Sequence, residues 1–245
     1  MKGEVVVDFL LSNIASAIFG SVFTSVIDFF KNTKGYIKIW FGLLGHRKER
    51  IRFSCGYLFR IKMDNKYLLI KGKRIEQFQP IGGVYKYYSS FNDIKNSLNI
   101  TEEQNSIFYE DGDLRVYVPG KNVLKFIRWF NSGKNREVNV TREFYEELVV
   151  PGYIPENAII NAKFEFIKQA ECKLGYSNAF RCKEVLIHNI YEVTFSDSTY
   201  LEKLNNVINQ GEKSLRFVSQ SDIEREAVEV NGVENKIGAH AKNVV

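Results

Sequence analysis

Residues 9–27 (FLLSNIASAIFGSVFTSVI) carry no charge, and Asp8 and Asp28 bracket them. Counted from residue 5 to residue 30, the segment is long enough at about 1.5 Å per residue to cross a hydrocarbon layer of about 30 Å. Polar residues interrupt it in register: Ser12, Ser16, Gly20 and Thr24 recur every four positions, and Ala17, Ser21 and Ser25 form a second row. Small residues at that spacing let helices approach closely in lipid, so the pattern predicts a self-associating membrane helix. The alternative is an amphipathic helix packed on the domain or on a partner. A cleavable signal is not expected, because the basic start is weak and no A-x-A site follows. A second apolar patch, 36–44, is too short to span. With Trp40 and flanking cations it reads as a segment lying along lipid headgroups.

From about residue 52 the periodicity becomes that of a mixed α/β domain. Strands are predicted at 52–63, 66–71, 114–118, 163–169 and 183–195, the last rich in Val, Ile, Tyr and Thr. Helices are predicted at 121–131, at 138–149 and at 198–209. Residues 216–219 read as a final strand leading into a helix start at 220–224. The tail beyond about 230 is rich in Gly, Asn and Lys and reads as frayed. This divides the chain into a membrane helix with a basic segment (1–49), an α/β domain (50–230) and a flexible tail (231–245).

Bulk composition adds little beyond a folded protein: 245 residues, 44% hydrophobic, 26% charged and only 4 Pro. Charge placement adds more. Within 31–52, Lys31, Lys34, Lys38, Arg47, Lys48, Arg50 and Arg52 face the single Glu49, a local balance of +6. Beside an apolar segment, such a cluster points to anionic headgroups, and its position after the long segment places the following domain in the cytoplasm. No nucleic-acid motif accompanies the charge, so duplex DNA or RNA is not the expected partner. Cys55, Cys172 and Cys182 lack metal-ligand spacing and fit a reducing compartment. His188 falls in a strand and reads as structural, and His46 and His240 sit near a charge cluster and the C-terminus.

The densest chemistry lies in REFYEEL (142–148). On a helix, Arg142, Glu143, Glu146 and Glu147 fall within a sector of roughly 140°, with Phe144 and Tyr145 on the other side. Three carboxylates on one stripe repel one another unless a cation sits among them. Mg²⁺ or Mn²⁺ suits that role, with Arg142 fixing one carboxylate, and such metals are commonly shared with substrate phosphates. The other reading is a solvated charged helix face.

This run resembles the R-E-U-x-E-E core of the Nudix box, met at Arg142, Glu143, Phe144, Glu146 and Glu147. Upstream, CGYLFR (55–60) and YLLI (67–70) read as strands joined at Asp64 and Asn65, leading into QPIGG (79–83), which resembles the Nudix glycine-rich turn. There are departures: the turn reads P-I-G-G, Lys134 stands at the box's upstream Glu, and Val149 at its following Gly. Gly83 and Arg142 lie 59 positions apart. That is about 45 more than the usual box, an insertion whose closure entropy is modest. With DLRVYVPGKN (113–122) inside it, this insertion (about 85–136) is similar to one branch: Nudix domains associated with bacterial cyclic-oligonucleotide synthases in antiphage signalling. The resemblance implies a Nudix-type α/β/α sandwich with a mixed sheet, preceded here by the transmembrane helix. For that branch it also implies a signal-responsive, membrane-linked effector, expected here at the bacterial inner membrane, while the small-residue rows predict a homo-oligomer.

Two functions remain open. As a hydrolase, the chain would use Glu143, Glu146 and Glu147 to hold Mg²⁺ or Mn²⁺ for water attack on a nucleoside diphosphate linked to another moiety, with Gly82 and Gly83 letting backbone approach the phosphates. As a sensor, it would bind a cyclic oligonucleotide or other nucleotide through Gly82, Gly83, Tyr85, Lys86, Arg115, Lys121 and Arg128. Tyr117, Phe126 and Trp129 are interleaved with further cations as base-stacking platforms. A helix that buries Leu124, Phe126 or Ile127, and Phe130 and leaves its cations in solvent is the competing reading of 121–131.

Overall fold

The structure, a computed structural model, describes residues 33–72, 75–103 and 112–245. In chain order, helix α1 (Thr33–Gly42) precedes strands β1 (Arg50–Met63), β2 (Lys66–Lys71), β3 (Phe78–Pro80) and β4 (Gly82–Val84). Then come α2 (Asn92–Ser97), β5 (Thr101–Glu102), β6 (Arg115–Pro119), α3 (Val123–Asn131) and α4 (Thr141–Phe144), which continues as a π-helical turn (Tyr145–Val149). Strands β7 (Ala162–Gln169), β8 (Leu174–Ser177) and β9 (Cys182–Phe195) follow. The chain finishes with α5 (Thr199–Asn209), β10 (Leu215–Val218), α6 (Gln220–Arg225), β11 (Ala227–Val230) and β12 (Val233–Lys236). The expected membrane helix over 5–30, with Ser12, Ser16, Gly20 and Thr24, lies outside the described residues. Among the described residues no helix is long and apolar enough to cross a membrane.

The chain divides into two compact units, and β1 and β9 each give their first half to one and their second half to the other. The first takes the described part of Met1–Gly56 with Val84–Asn139 and Gln169–His188. Here β6 runs antiparallel to β1, from Arg50 opposite Pro119 to Ser54 opposite Arg115, so the insertion builds sheet rather than loop. Strand β5 extends β6, and β8 pairs with the start of β9. An aromatic chain fills the core: Phe53 on Phe126 (ring centroids 4.7 Å), Phe126 on Trp129 (5.3 Å) and Trp129 on Phe91 (4.5 Å). Burying such rings is the main stabilising contribution available to a unit of this size.

The second unit comprises Tyr57–Gly83, Val140–Lys168 and Asn189–Val245. Asp64 and Asn65 adopt φ of 47° and 60°, so β1 turns into β2 through a two-residue hairpin loop. Both φ positive is the backbone that matches strand twist, and Asp and Asn tolerate it. Strand β2 pairs with β3 and with β10, both antiparallel. Where a mixed sheet was expected, these ladders are antiparallel, and a parallel pairing occurs as the isolated bridge Phe78–Ile237. Ser219 and Asp222 form a reciprocal capping box that starts α6.

The expectation of a flexible tail is corrected. Residues 227–236 form the β11–β12 hairpin, a 3-10 turn covers Ala239–Val244, and Ile237, Ala241 and Val244 are buried in the core with Leu58, Leu69 and Phe78. Composition misled because three apolar residues spaced among the Gly, Asn and Lys, Ile237, Ala241 and Val244, are enough to fix the tail to the core, while Val233 stays exposed.

Candidate functional site

The expected acidic helix forms, but not as a uniform α-helix. After one α turn from Thr141 the chain passes into the π-helical turn, closed by the Val150 N–H donating to the Tyr145 carbonyl at 2.9 Å. Such π segments are rare and occur often at functional sites. Phe144 anchors the helix, with its ring fully buried against Phe59, Phe164 and Phe195 at 6.0, 5.1 and 6.1 Å. Tyr145, expected on the same side, is instead exposed, because one step along the helix turns it off the buried face.

On the opposite side, one guanidinium nitrogen of Arg142, Nη1, donates to Glu143 Oε1 at 2.8 Å and to Glu146 Oε2 at 3.2 Å. The cation expected among these carboxylates is therefore supplied by the chain itself. Among the described residues, no group of three His, Cys, Asp or Glu side chains converges to hold a metal ion. The carboxylate chemistry suits Mg²⁺ or Mn²⁺, but with two of the three acids turned onto Arg142 the arrangement does not form the expected cage.

Glu143 is the unusual member. Its side chain is largely buried, and burial pushes its pKa up from 4.5 to about 7. Arg142 opposes that rise, while the charges of Glu146 and Glu147 add to it. One arginine does not offset three acids and a dry site, so Glu143 sits near half-protonation at neutrality.

The two glycines explain where the Glu143 carboxyl goes. A Cβ on Gly83 would lie 1.9 Å from Glu143 Cδ and 2.1 Å from its Oε1, so the missing side chain is the space this carboxyl fills. A Cβ on Gly82, at φ +155°, would lie 2.1 Å from the Tyr57 carbonyl oxygen. Gly82 therefore lets β4 close onto β1, and the Phe59 N–H reaches the Ile81 carbonyl at 2.8 Å. Among the protein's own groups, the Gly-Gly turn brings backbone next to a carboxylate.

The remaining candidates belong to the other unit and split into two kinds. Tyr85 is buried, its ring 5.6 Å from Phe130 and 4.6 Å from the Arg136 guanidinium, so it is a core residue and not a stacking platform. Arg115 is buried in β6 and paired with Asp113. The Lys86 N–H donates to Glu137 Oε2 at 3.3 Å and its carbonyl accepts from the Glu137 N–H at 2.7 Å. Phe126 and Trp129 are buried, which removes them as stacking surfaces. Lys121 and Arg128, by contrast, are exposed together with Lys125; Lys125 and Arg128 lie three apart on α3, and Lys121 sits in the 3-10 turn (Gly120–Asn122) that leads into it.

A further charged cluster was not anticipated. Arg52, counted above among headgroup cations, is buried. Its Nε and Nη2 donate to the two oxygens of Glu103, both at 3.0 Å, and its Nη1 to Glu184 at 2.9 Å. The Phe180 ring lies 3.7 Å from its guanidinium carbon. Glu103 and Glu184 are 51 and 132 positions away in sequence, so no local pattern could have announced the cluster.

No curated protein and no solved structure matches the chain. The model of the SMODS-associated NUDIX domain matches residues 50–245, a span that takes in the insertion, the acidic helix and the ordered C-terminus. With four fifths of the sequence inside that match, the chain belongs to the SMODS-associated Nudix family, Nudix domains linked to cyclic-oligonucleotide synthase systems.

Proposed function

We propose that the chain is an effector of nucleotide-signalled antiphage defence, in which the Nudix-like domain binds a cyclic oligonucleotide and the N-terminal segment disrupts the bacterial inner membrane. The observation that carries this reading over hydrolysis is the pairing of Arg142 with both Glu143 and Glu146, which commits two acids of the Nudix core to an internal cation. The exposed cations Lys121, Lys125 and Arg128 supply a surface suited to phosphodiester oxygens. The charge-free run over 9–27, with its small-residue rows, supports membrane attachment and self-association. For ligand to drive an assembly change, it must bind two assembly states with different affinity.

A second reading, a Nudix hydrolase acting on nucleoside diphosphate derivatives, is favoured by Glu143. A carboxyl with a pKa of about 7 has the value expected of a general base working near neutrality.

The test uses the full-length protein in detergent. Binding of a panel of cyclic oligonucleotides is measured by calorimetry. Turnover of nucleoside diphosphate derivatives is measured with Mg²⁺ and with Mn²⁺. Tight cyclic-oligonucleotide binding without turnover, unchanged in Glu146→Gln/Glu147→Gln, is the expected result. Turnover that falls by several decades in that variant, about 1.4 kcal/mol per decade, with no cyclic-oligonucleotide binding, would overturn it in favour of the hydrolase.

A further inference from the structure

Helix α1 has two apolar stripes where a surface helix ordinarily has one. Tyr36, Ile39 and Leu43 form the inner stripe and are buried. A closed set of hydrogen bonds fixes this side. Asn131 Nδ2 donates to the Tyr36 hydroxyl at 2.8 Å, that hydroxyl donates to Gln169 Oε1 at 3.3 Å, and Gln169 Nε2 donates to Asn131 Oδ1 at 3.0 Å. The outer stripe, Ile37, Trp40, Phe41 and Leu44, follows the i, i+3, i+4, i+7 spacing and is 50%, 48%, 60% and 49% exposed. Trp40 and Phe41 meet edge to face at 4.9 Å, which presents them as one apolar ridge. Contiguous exposed apolar surface of this kind marks a contact site.

We propose that this outer stripe is a lipid-contact surface that seats the domain on an anionic membrane, with Trp40 and Phe41 in the headgroup layer. The inference rests on the membrane attachment proposed above. The charge-free run ends at residue 27 and α1 begins at Thr33, so α1 stays within about 20 Å of the point where that run would leave the membrane. Lys38, Arg47, Lys48 and Arg50 are exposed in and after the helix. Among the described residues, Glu171 is answered by Lys38 and Lys173, and Glu49 by His46 and Lys183. A tryptophan-bearing apolar ridge beside Arg47, Lys48 and Arg50, which pair with no acid among the described residues, matches the interface between headgroups and acyl chains. A second copy would bring like-charged surfaces together. The run over 9–27 has no carboxylate to offer these cations.

The full-length protein is reconstituted into vesicles of phosphatidylcholine and phosphatidylglycerol, with or without bromine near the top of the acyl chains. Trp129 is buried, so Trp40 is the tryptophan that lipid can reach. Bromine-dependent loss of fluorescence, absent in Trp40→Phe and reduced in Ile37→Glu/Phe41→Glu, is expected. Trp40 quenched by aqueous acrylamide but not by bromine would overturn the proposal, as would Trp40 shielded from both, which would mean that residues 1–32 or a second copy cover the stripe. Either result in protein that co-floats with vesicles leaves membrane attachment standing. Protein that does not co-float overturns both.

Discussion

Two arginines in this protein each face more than one glutamate, and they solve the problem differently. Arg52 spends three nitrogens on Glu103 and Glu184, has the Phe180 ring against its plane, and sits with partners whose side chains are 5% and 18% exposed. Arg142 shares one nitrogen between Glu143 and Glu146 in a more open setting. The forked, bidentate pairing is the arrangement that makes a buried charge tolerable. Burial raises the Glu143 pKa to about 7, and Arg142 beside it offsets only part of that rise. The difference separates a cluster built to hold a sheet together from one left electrostatically unfinished, which is where a ligand or a proton has something to gain.

Removing each arginine is the most direct way to break this comparison. Arg52→Met leaves two buried carboxylates without a cation and is expected to cost about 3–5 kcal/mol in urea or thermal unfolding. Arg142→Met is expected to cost less, about 1–2 kcal/mol, because Glu143 can take up a proton instead of remaining charged. Equal losses would show that Arg142 is as structural as Arg52.

The proton itself gives the next largest effect. A carboxyl whose pKa rises on folding binds more protons in the native state between its unfolded and folded values. Its contribution to stability is therefore present at low pH and is lost as pH rises from about 4.5 through about 7. Glu143→Gln removes the buried charge while keeping the shape. It is expected to be more stable than the wild type at pH 8, by at most about 3 kcal/mol at 1.36 kcal/mol per pKa unit, and nearly equal to it at pH 4. Paired urea titrations at the two pH values decide this, and a variant less stable at pH 8 would contradict the assignment. Glu103→Gln, in a cluster whose acids are matched by geometry, is expected to destabilise at both.

Much of the fold was legible because it is local. Strand β2 lies where the apolar run ends, the hairpin turns at Asp64 and Asn65, and the acidic run is helical from Thr141. What was not legible depends on partners far away in sequence. Arg115 and Tyr85 looked like ligand contacts because cations and aromatics alternate there, yet Arg115 is buried in β6 and Tyr85 under Phe130 and Arg136. The C-terminal residues looked frayed, yet Phe78 and Leu69 supply the core on which Ile237 and Val244 pack. The α-to-π change at Tyr145 likewise leaves no mark in a periodicity read at 100° per residue.

The smallest effect concerns Gly83 and sharpens the comparison most finely. Its missing side chain is filled by the Glu143 carboxyl, since a Cβ would lie 1.9 Å from Cδ and 2.3 Å from Cγ of that residue. Gly83→Ala must push the carboxyl away, and overpacking of this kind costs about 1–3 kcal/mol. The nearest atoms all belong to one side chain, so the cost should largely vanish when Glu143 is shortened. Gly83→Ala measured in the Glu143→Ala background is expected to be close to neutral, giving a coupling of about 1–2 kcal/mol in the double-mutant cycle. Gly82→Ala offers the internal control. Its Cβ would meet the Tyr57 carbonyl and Leu58 Cα, backbone atoms that no change at Glu143 can move. Its penalty should be the same in both backgrounds. If the Gly83 penalty also persists, the turn is constrained by its own backbone, and the closeness of glycine and carboxyl has no energetic role.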